Sequence, residues 1–413
     1  MKFGYFIINL LFIFTLQKHL VIIHAQEQLA RLWNIPVHLI PRYLERELHL
    51  NNVNKILELY LDDSNFAGTY IDVKSNSVII YTVNMTKKHD ITSKPNIREY
   101  ERFLDFRKVN KSLAYLKSSF KELDRMAKQN RPRGIYTSIH PRFNKIIVIV
   151  SLPPDQRIQA FIGAARQYDA DIYFDLSPTI TSTHTKRGAV TSKISSILLS
   201  GDGIGNKFDG SFCSAGFWAR SKNQTLLVTA GHCNGKRFSR SMKKFFTLDT
   251  KNLIGKMIHS SIAPHDIGLI DIKKMSEYLR PSTNIKNDKN ASYLELFVTD
   301  GVPIFSHGAH LCRSGISSLV SCGYVDAFNG IYVNKDENYQ SDLTFVDKMS
   351  CTGGDSGGPA FSFSDFLDFS LVNINGIVIV GADNATSPLY PFTIVLPREI
   401  ILNSSRLDFI TEF

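Results

Sequence analysis

Cysteine is absent from the first half of this 413-residue sequence; the five copies are Cys213, Cys233, Cys312, Cys322 and Cys351. No Cys-x-x-Cys pair and no His-Glu-x-x-His run occurs, so the usual ligand spacings of a metal site are missing. Neither a metal nor another cofactor is expected. Arginine-rich tracts are missing too. The formal net charge is +10, but the basic residues are scattered and mixed with Asp and Glu. Without a concentrated basic footprint, nucleic acid is not an expected partner. Beyond the first residues no run is long and apolar enough to cross a bilayer. Core-forming residues are not in short supply. A hydrophobic content of 43% supports two or three globular units and argues against bulk disorder.

The first residues read as an export signal. Lys2 supplies a positive start, Phe3 to Leu16 is apolar, and Gln17 and Lys18 end the run. Ile23-His24-Ala25 offers a small residue at a cleavage point. The run is shorter than the roughly 20 residues of a membrane span. Residues 1–25 are therefore expected to be removed, leaving a soluble, secreted, extracellular protein with no membrane segment. Asn-x-Ser/Thr acceptors at Asn84, Asn110, Asn223, Asn290, Asn384 and Asn403 fit that route.

Two differently composed regions follow. Residues 26–187 mix helical and strand patterns. Gln28 to Leu61 reads as helix. Ala67 to Asp72 and Ser77 to Val83 read as a hairpin around Lys74-Ser75-Asn76. Residues 97 to about 130 read as one long amphipathic helix. Lys145 to Leu152, Asp155 to Tyr168 and Ile172 to Asp175 read as strand, helix and strand, a small α/β unit. Lys186-Arg187 then closes a polar stretch and reads as a processing site. From about residue 195, short apolar runs alternate with Gly, Asn, Asp and Ser. Examples are Ser214 to Arg220, Thr225 to Thr229, Leu253 to Ile258, Ile267 to Ile272, Leu294 to Val298 and Gly376 to Val380. That is the pattern of an all-β barrel or sandwich. Pro397 to Asn403 reads as a closing helix.

The chemistry concentrates in Gly354-Asp355-Ser356-Gly357-Gly358-Pro359 and, upstream, Thr229-Ala230-Gly231-His232-Cys233. A serine hydroxyl needs a base to take its proton and a carboxylate to orient that base. The glycines around Ser356 suit a tight turn that exposes the hydroxyl and aims backbone N–H groups at an oxyanion. His232 follows the β-rich run Leu226 to Thr229 and is the candidate base. Asp266, just ahead of Ile267 to Ile270, is the candidate acid; Asp271 competes but lies inside the strand pattern. The order is His, Asp, Ser, as in the chymotrypsin barrel rather than subtilisin or the α/β-hydrolases.

These residues resemble the chymotrypsin superfamily of serine proteases, in particular its alpha-lytic protease and streptogrisin branch. Gly201-Asp202-Gly203-Ile204, Cys213 to Phe217, Cys312-Arg313-Ser314-Gly315 with Cys322-Gly323, and the two motifs above carry the resemblance over about residues 198 to 405. It implies a mainly β, two-barrel catalytic domain over residues 188–413. Ala67 to Asp72 and Lys145 to Asp175 are similar to that branch's pro-region. The resemblance therefore implies a smaller α/β (α+β) pro-domain over 26–187 that assists folding and then inhibits. It also implies an oxyanion hole from the N–H groups of Gly354 and Ser356. Gly381 is implied to pair with an extended substrate backbone. Cys213–Cys233 and Cys312–Cys322 are the implied disulfides. Asp355 is expected to be buried, with Arg313 as its internal cationic partner.

Two departures stand out. Cys351 matches a family cysteine whose partner follows the nucleophile, and no cysteine follows Ser356, so that staple is expected to be missing. Ile379 stands where relatives usually have a serine that hydrogen-bonds the triad carboxylate. The expected function is a secreted serine endopeptidase made as a precursor. Its expected partners are protein or peptide substrates and its own pro-region, and it is expected to be a monomer. The rival is a secreted binding protein or effector on a catalytically weakened protease scaffold, for which Ile379 and Cys351 speak.

Overall fold

The structure is a computed structural model that describes residues 27–175, 196–206, 212–235, 243–287, 294–299, 303–365, 367–382 and 390–413. The export signal, Lys186-Arg187 and the acceptors Asn290 and Asn384 lie outside the described residues. Among the described residues no helix is long and apolar enough to cross a membrane. Asn110, Asn223 and Asn403 are exposed.

The N-terminal region starts with helices Glu27–Trp33 and Ile40–Glu58. The expected continuous helix is broken around Asn34-Ile35-Pro36, because Asn34 takes a left-handed φ of 52° and Pro36 cannot extend the ladder. Strands Phe66–Asp72 and Ser77–Thr82 form the expected hairpin, with Asn76 at φ 55° in the turn. The expected long helix over 97–130 is corrected. Only Leu113–Asn130 is one helix, and Leu104–Lys108 is a strand parallel to Ser77–Thr82. Ser112 sets the helix start by accepting a hydrogen bond from Tyr115 N–H. The last unit is strands Ile135–His140 and Lys145–Val150, helix Gln156–Gln167 capped by Asp155, and strand Asp171–Phe174.

The C-terminal region is almost wholly β. One sheet runs Asp408–Phe409, Trp218–Ser221, Gln224–Thr229, Ile267–Asp271, Leu253–Ser261, Lys244–Thr247, Gly203–Asn206 and Phe212–Ser214. The expected single strand Ser214 to Arg220 is interrupted, since Gly216 passes so close to Val228 O and Gly357 O that a Cβ would lie about 2.5 Å away. The second body is a closed barrel. Around it, His310–Gly315, Leu319–Val333, Tyr339–Asp347, Phe392–Pro397, Leu371–Ala382 and Pro359–Phe363 pair antiparallel in turn, and the last returns to the first. Helix Arg398–Ser405 follows.

The N-terminal region is joined to this barrel through backbone. Strand Ile135–His140 pairs antiparallel with Leu319–Val333, matching Tyr136 to Tyr332, and so adds three strands to the barrel's sheet. The two tyrosine rings stack at 4.3 Å and 3°, a contact worth about 0.5–1.5 kcal/mol beyond its buried area.

Candidate active site

Two turns and a strand start converge where the two β bodies meet. His232 sits on the one-turn 3-10 helix Gly231–Asn234, directly after strand Gln224–Thr229. Gly231 is required there, because a Cβ would fall 1.9 Å from Ser261 O. Asp266 precedes strand Ile267–Asp271 and is buried. Its two carboxylate oxygens both face His232. Oδ1 accepts from the His232 backbone N–H at 2.9 Å, and Oδ2 contacts Nδ1 at 2.7 Å. This paired contact fixes the ring's tautomer, with Nδ1–H donating and Nε2 left to act as a base. Burial opposes the charged imidazolium, but the attraction and hydrogen bond of Asp266 together outweigh it and hold the His232 pKa above its usual value. Asp271, the competing acid, pairs in register with Leu226 and Lys256 inside the sheet, away from this contact.

Ser356 lies between two glycines in left-handed backbone, Gly354 at φ 103° and Gly357 at φ 82°. Gly357 packs against the histidine's own strand, where a Cβ would meet Thr229 Oγ1 at 2.0 Å and Ala230 N at 2.9 Å. Ser356 O accepts from Ser214 N–H at 2.9 Å, and Ser214 Oγ donates to Gly354 O at 2.9 Å. The serine loop is thus brought to the histidine turn. The Ser356 hydroxyl donates to Ile379 O at 3.3 Å. Among the described residues the N–H groups of Gly354 and Ser356 are engaged by no hydrogen bond, whereas those of Asp355, Gly357 and Gly358 are.

Asp355 is fully buried. It accepts from Ser317 N–H, Ser318 N–H and Thr352 N–H, and lies 3.3 Å from Arg313 Nη1. Arg313, itself fully buried, also donates to Ser350 O at 2.7 Å and Leu319 O at 2.9 Å. The expected internal ion pair is therefore in place. Both expected disulfides are present, Cys213–Cys233 and Cys312–Cys322. The first ties strand Phe212–Ser214 to the His232 turn. Cys213, His232 and Cys233 cluster closely enough to suggest a metal site, but the two sulfurs are bonded to each other and are not thiolate ligands. Cys351 belongs to neither disulfide and is buried. Its Cβ would lie 2.5 Å from one placed on Gly381, so Gly381 packs directly against Cys351, pairing in register with Thr393. Ile379 is buried and brings no donor to Asp266.

Sequence reasoning missed one contributor. His265 Nε2 pairs with Asp342 Oδ2 at 3.0 Å, immediately before the acid. Nothing in the local text around Asp342 signals it, because the contact spans 77 positions.

No protein-family model matches the chain, and no curated protein matches it in sequence. Solved structures do match. Protease A of Thermobifida fusca is 20% identical, with 52% of this chain and 99% of that chain covered and a TM-score of 0.40. A Nocardiopsis protease is 21% identical over 52% of this chain and 99% of its own, at a TM-score of 0.41. Alpha-lytic protease homolog N4 is 20% identical over 52% and 99%, at 0.40.

Proposed function

We propose that the chain is a secreted serine endopeptidase made as a precursor. Ser356 Oγ attacks the peptide carbonyl carbon while His232 Nε2 takes its proton. The carbonyl oxygen becomes an oxyanion facing the N–H groups of Gly354 and Ser356. As the C–N bond breaks, His232 passes the proton to the leaving amine, and an acyl-enzyme remains. Water, deprotonated by the same imidazole, then releases the acid. Asp266 holds the ring and balances its transient charge. Each oxyanion donor contributes about 2.7–4 kcal/mol to this step. Gly381 presents its strand edge to the substrate backbone. No metal or other cofactor takes part, and nucleic acid is not a partner.

The observation that supports this reading most is the double contact of Asp266 on His232, next to a glycine-flanked serine with two unengaged N–H groups beside it. In the same reading, residues 1–25 are the removed signal, 26–187 the pro-region, and 188–413 the extracellular enzyme, acting as a monomer. The shared sheet between Ile135–His140 and Leu319–Val333 favours a pro-region that templates the barrel; that it also blocks the cleft is part of the same proposal. The test is labelling. A serine-reactive phosphonate should modify Ser356 of the processed protein, and Ser356→Ala should abolish both labelling and peptide cleavage.

A second reading, a secreted binding protein or effector on a weakened scaffold, is favoured by one observation. The Ser356 hydroxyl is committed to Ile379 O, and proton transfer to His232 needs it to turn away. Processed wild-type protein that neither labels nor cleaves decides for this reading.

A further inference from the structure

Asp266 is asked to orient His232, yet among the described residues its hydrogen bonds come from His232 itself, the backbone N–H and Nδ1. A carboxylate held only by the group it orients fixes nothing unless its own backbone is fixed. Ile379 supplies no donor for that purpose. On one side of the acid the backbone is held in strand Ile267–Asp271, and on the other side the two preceding residues are held as well. Pro264 O accepts from Ser341 N–H at 3.2 Å, and His265 Nε2 contacts Asp342 Oδ2 at 3.0 Å. Ser341 Oγ donates to the same Asp342 oxygen at 2.7 Å.

Ser341 and Asp342 belong to strand Tyr339–Asp347 of the closed barrel, whereas Asp266 opens a strand of the other sheet. The link therefore crosses between the two β bodies. The local backbone is shaped for it. The ladder with Leu319–Val333 matches Gly330 to Leu343 and Tyr332 to Gln340, so Ser341 and Asp342 together face Ile331 alone. Such a bulge re-aims a side chain, and bulges are over-represented beside active sites. Asp342 sits there at φ 59°, a conformation that Asp tolerates better than most residues.

We infer that Asp342 is a positioning residue: through His265 it fixes the backbone at Asp266 and so sets the tilt of the His232 ring. The inference rests on the proposed triad. The side chains of His265 and Asp342 are 18% and 44% exposed, so attraction between their charges is weak and the hydrogen-bond geometry is what matters. Burial raises the Asp342 carboxyl, but hydrogen bonds from His265 and Ser341 outweigh it and hold the pKa below the usual value; Lys128 adds a smaller pull. Tyr339, the nearby phenol, is raised far up by burial and by Asp124, and so stays neutral.

The experiment compares Asp342→Ala with Asp342→Asn, which removes the charge but keeps an acceptor for His265. The first readout is the low-field Nδ1 proton resonance of His232, recorded on the full-length chain carrying Ser356→Ala, where no turnover is needed. Asp342→Ala should move or broaden it, and Asp342→Asn should leave it near the wild-type position. In the processed, active background, Asp342→Ala should lower kcat about tenfold at constant KM, between no effect and the ~10⁴-fold loss of a triad acid. Asp342→Asn should restore most of it. An unchanged resonance and kcat in Asp342→Ala overturns the inference, and so does Asp342→Asn behaving like Asp342→Ala, which would assign the effect to charge. If Asp342→Ala does not fold, His265→Gln, which keeps a donor, and His265→Leu, which does not, make the same comparison. The resonance is read without catalysis, so failure of the protease reading and failure of this inference remain distinguishable.

Discussion

At His232, burial works against a charged ring and Asp266 works for it, and the carboxylate wins. The sign has two consequences. A general base must be neutral, so a raised pKa moves the rising limb of kcat/KM to higher pH. Its midpoint is expected above 6.5, the ordinary histidine value. A pH–rate profile with the limb below that value would show that Asp266 does not support the ring in the free protein. Asp266→Asn should shift the limb downward while lowering kcat by up to about 10⁴-fold. The same raised pKa favours the folded state at pH below the unfolded value and loses that contribution as pH rises through the folded one. The base is therefore fully available only where its stabilising contribution has gone.

At the scale of elements, the turn that carries Ser356 is shaped by what cannot fit. Gly357 combines φ 82° with a Cβ position 2.0 Å from Thr229 Oγ1. Gly357→Ala is expected to push the serine loop off the histidine's strand. Phosphonate labelling of Ser356 should fall by at least tenfold while the far edge of the barrel stays folded, because small misplacements of reacting groups cost roughly 10²-fold. Labelling at the wild-type rate would show that the loop has slack. These local features were legible in the sequence, since glycine spacing and the His232 and Ser356 motifs depend only on neighbours along the chain. The hairpin around Asn76 and the helix from Asp155 were legible for the same reason, whereas the two disulfide pairings followed from the family resemblance. Leu104–Lys108 was not. Its apolar spacing fits a helix, and only its parallel partner Ser77–Thr82 makes it a strand. Asp342 was hidden similarly, because a bulge defined by a partner strand has no local signature.

Across the whole molecule, the N-terminal region and the barrel exchange buried groups of opposite kind. Glu47, from helix Ile40–Glu58, accepts from His310 N–H at 2.7 Å and pairs with His310 Nδ1. His310 Nε2 in turn accepts from Phe363 N–H at 3.0 Å, on the strand that follows the Ser356 loop. In the reverse sense, His140 of the N-terminal region contacts Asp326 of the barrel at 2.6 Å. Around that pair, burial holds His307 down to about 4. Burial and the charge of Asp326 push Asp347 up to about 7. Such groups are tolerated only while each side covers the other, so they specify how the two regions dock. Removing one partner should therefore act on docking more than on either region's own core. Glu47→Ala orphans two buried donors of His310, at about 1–3 kcal/mol for each. Trp33 reports on this contact, since it is fully buried and meets the His310 ring edge-on at 5.9 Å. In urea titrations of the full-length chain carrying Ser356→Ala, the Trp33 fluorescence transition is expected at lower denaturant in Glu47→Ala than with Glu47 present. Phosphonate-independent markers of the barrel, such as amide protection of Leu371–Ala382, should move less. Parallel loss of both signals would mean that the N-terminal region and the barrel unfold as one cooperative body, and that Glu47 serves the common core rather than a separable interface.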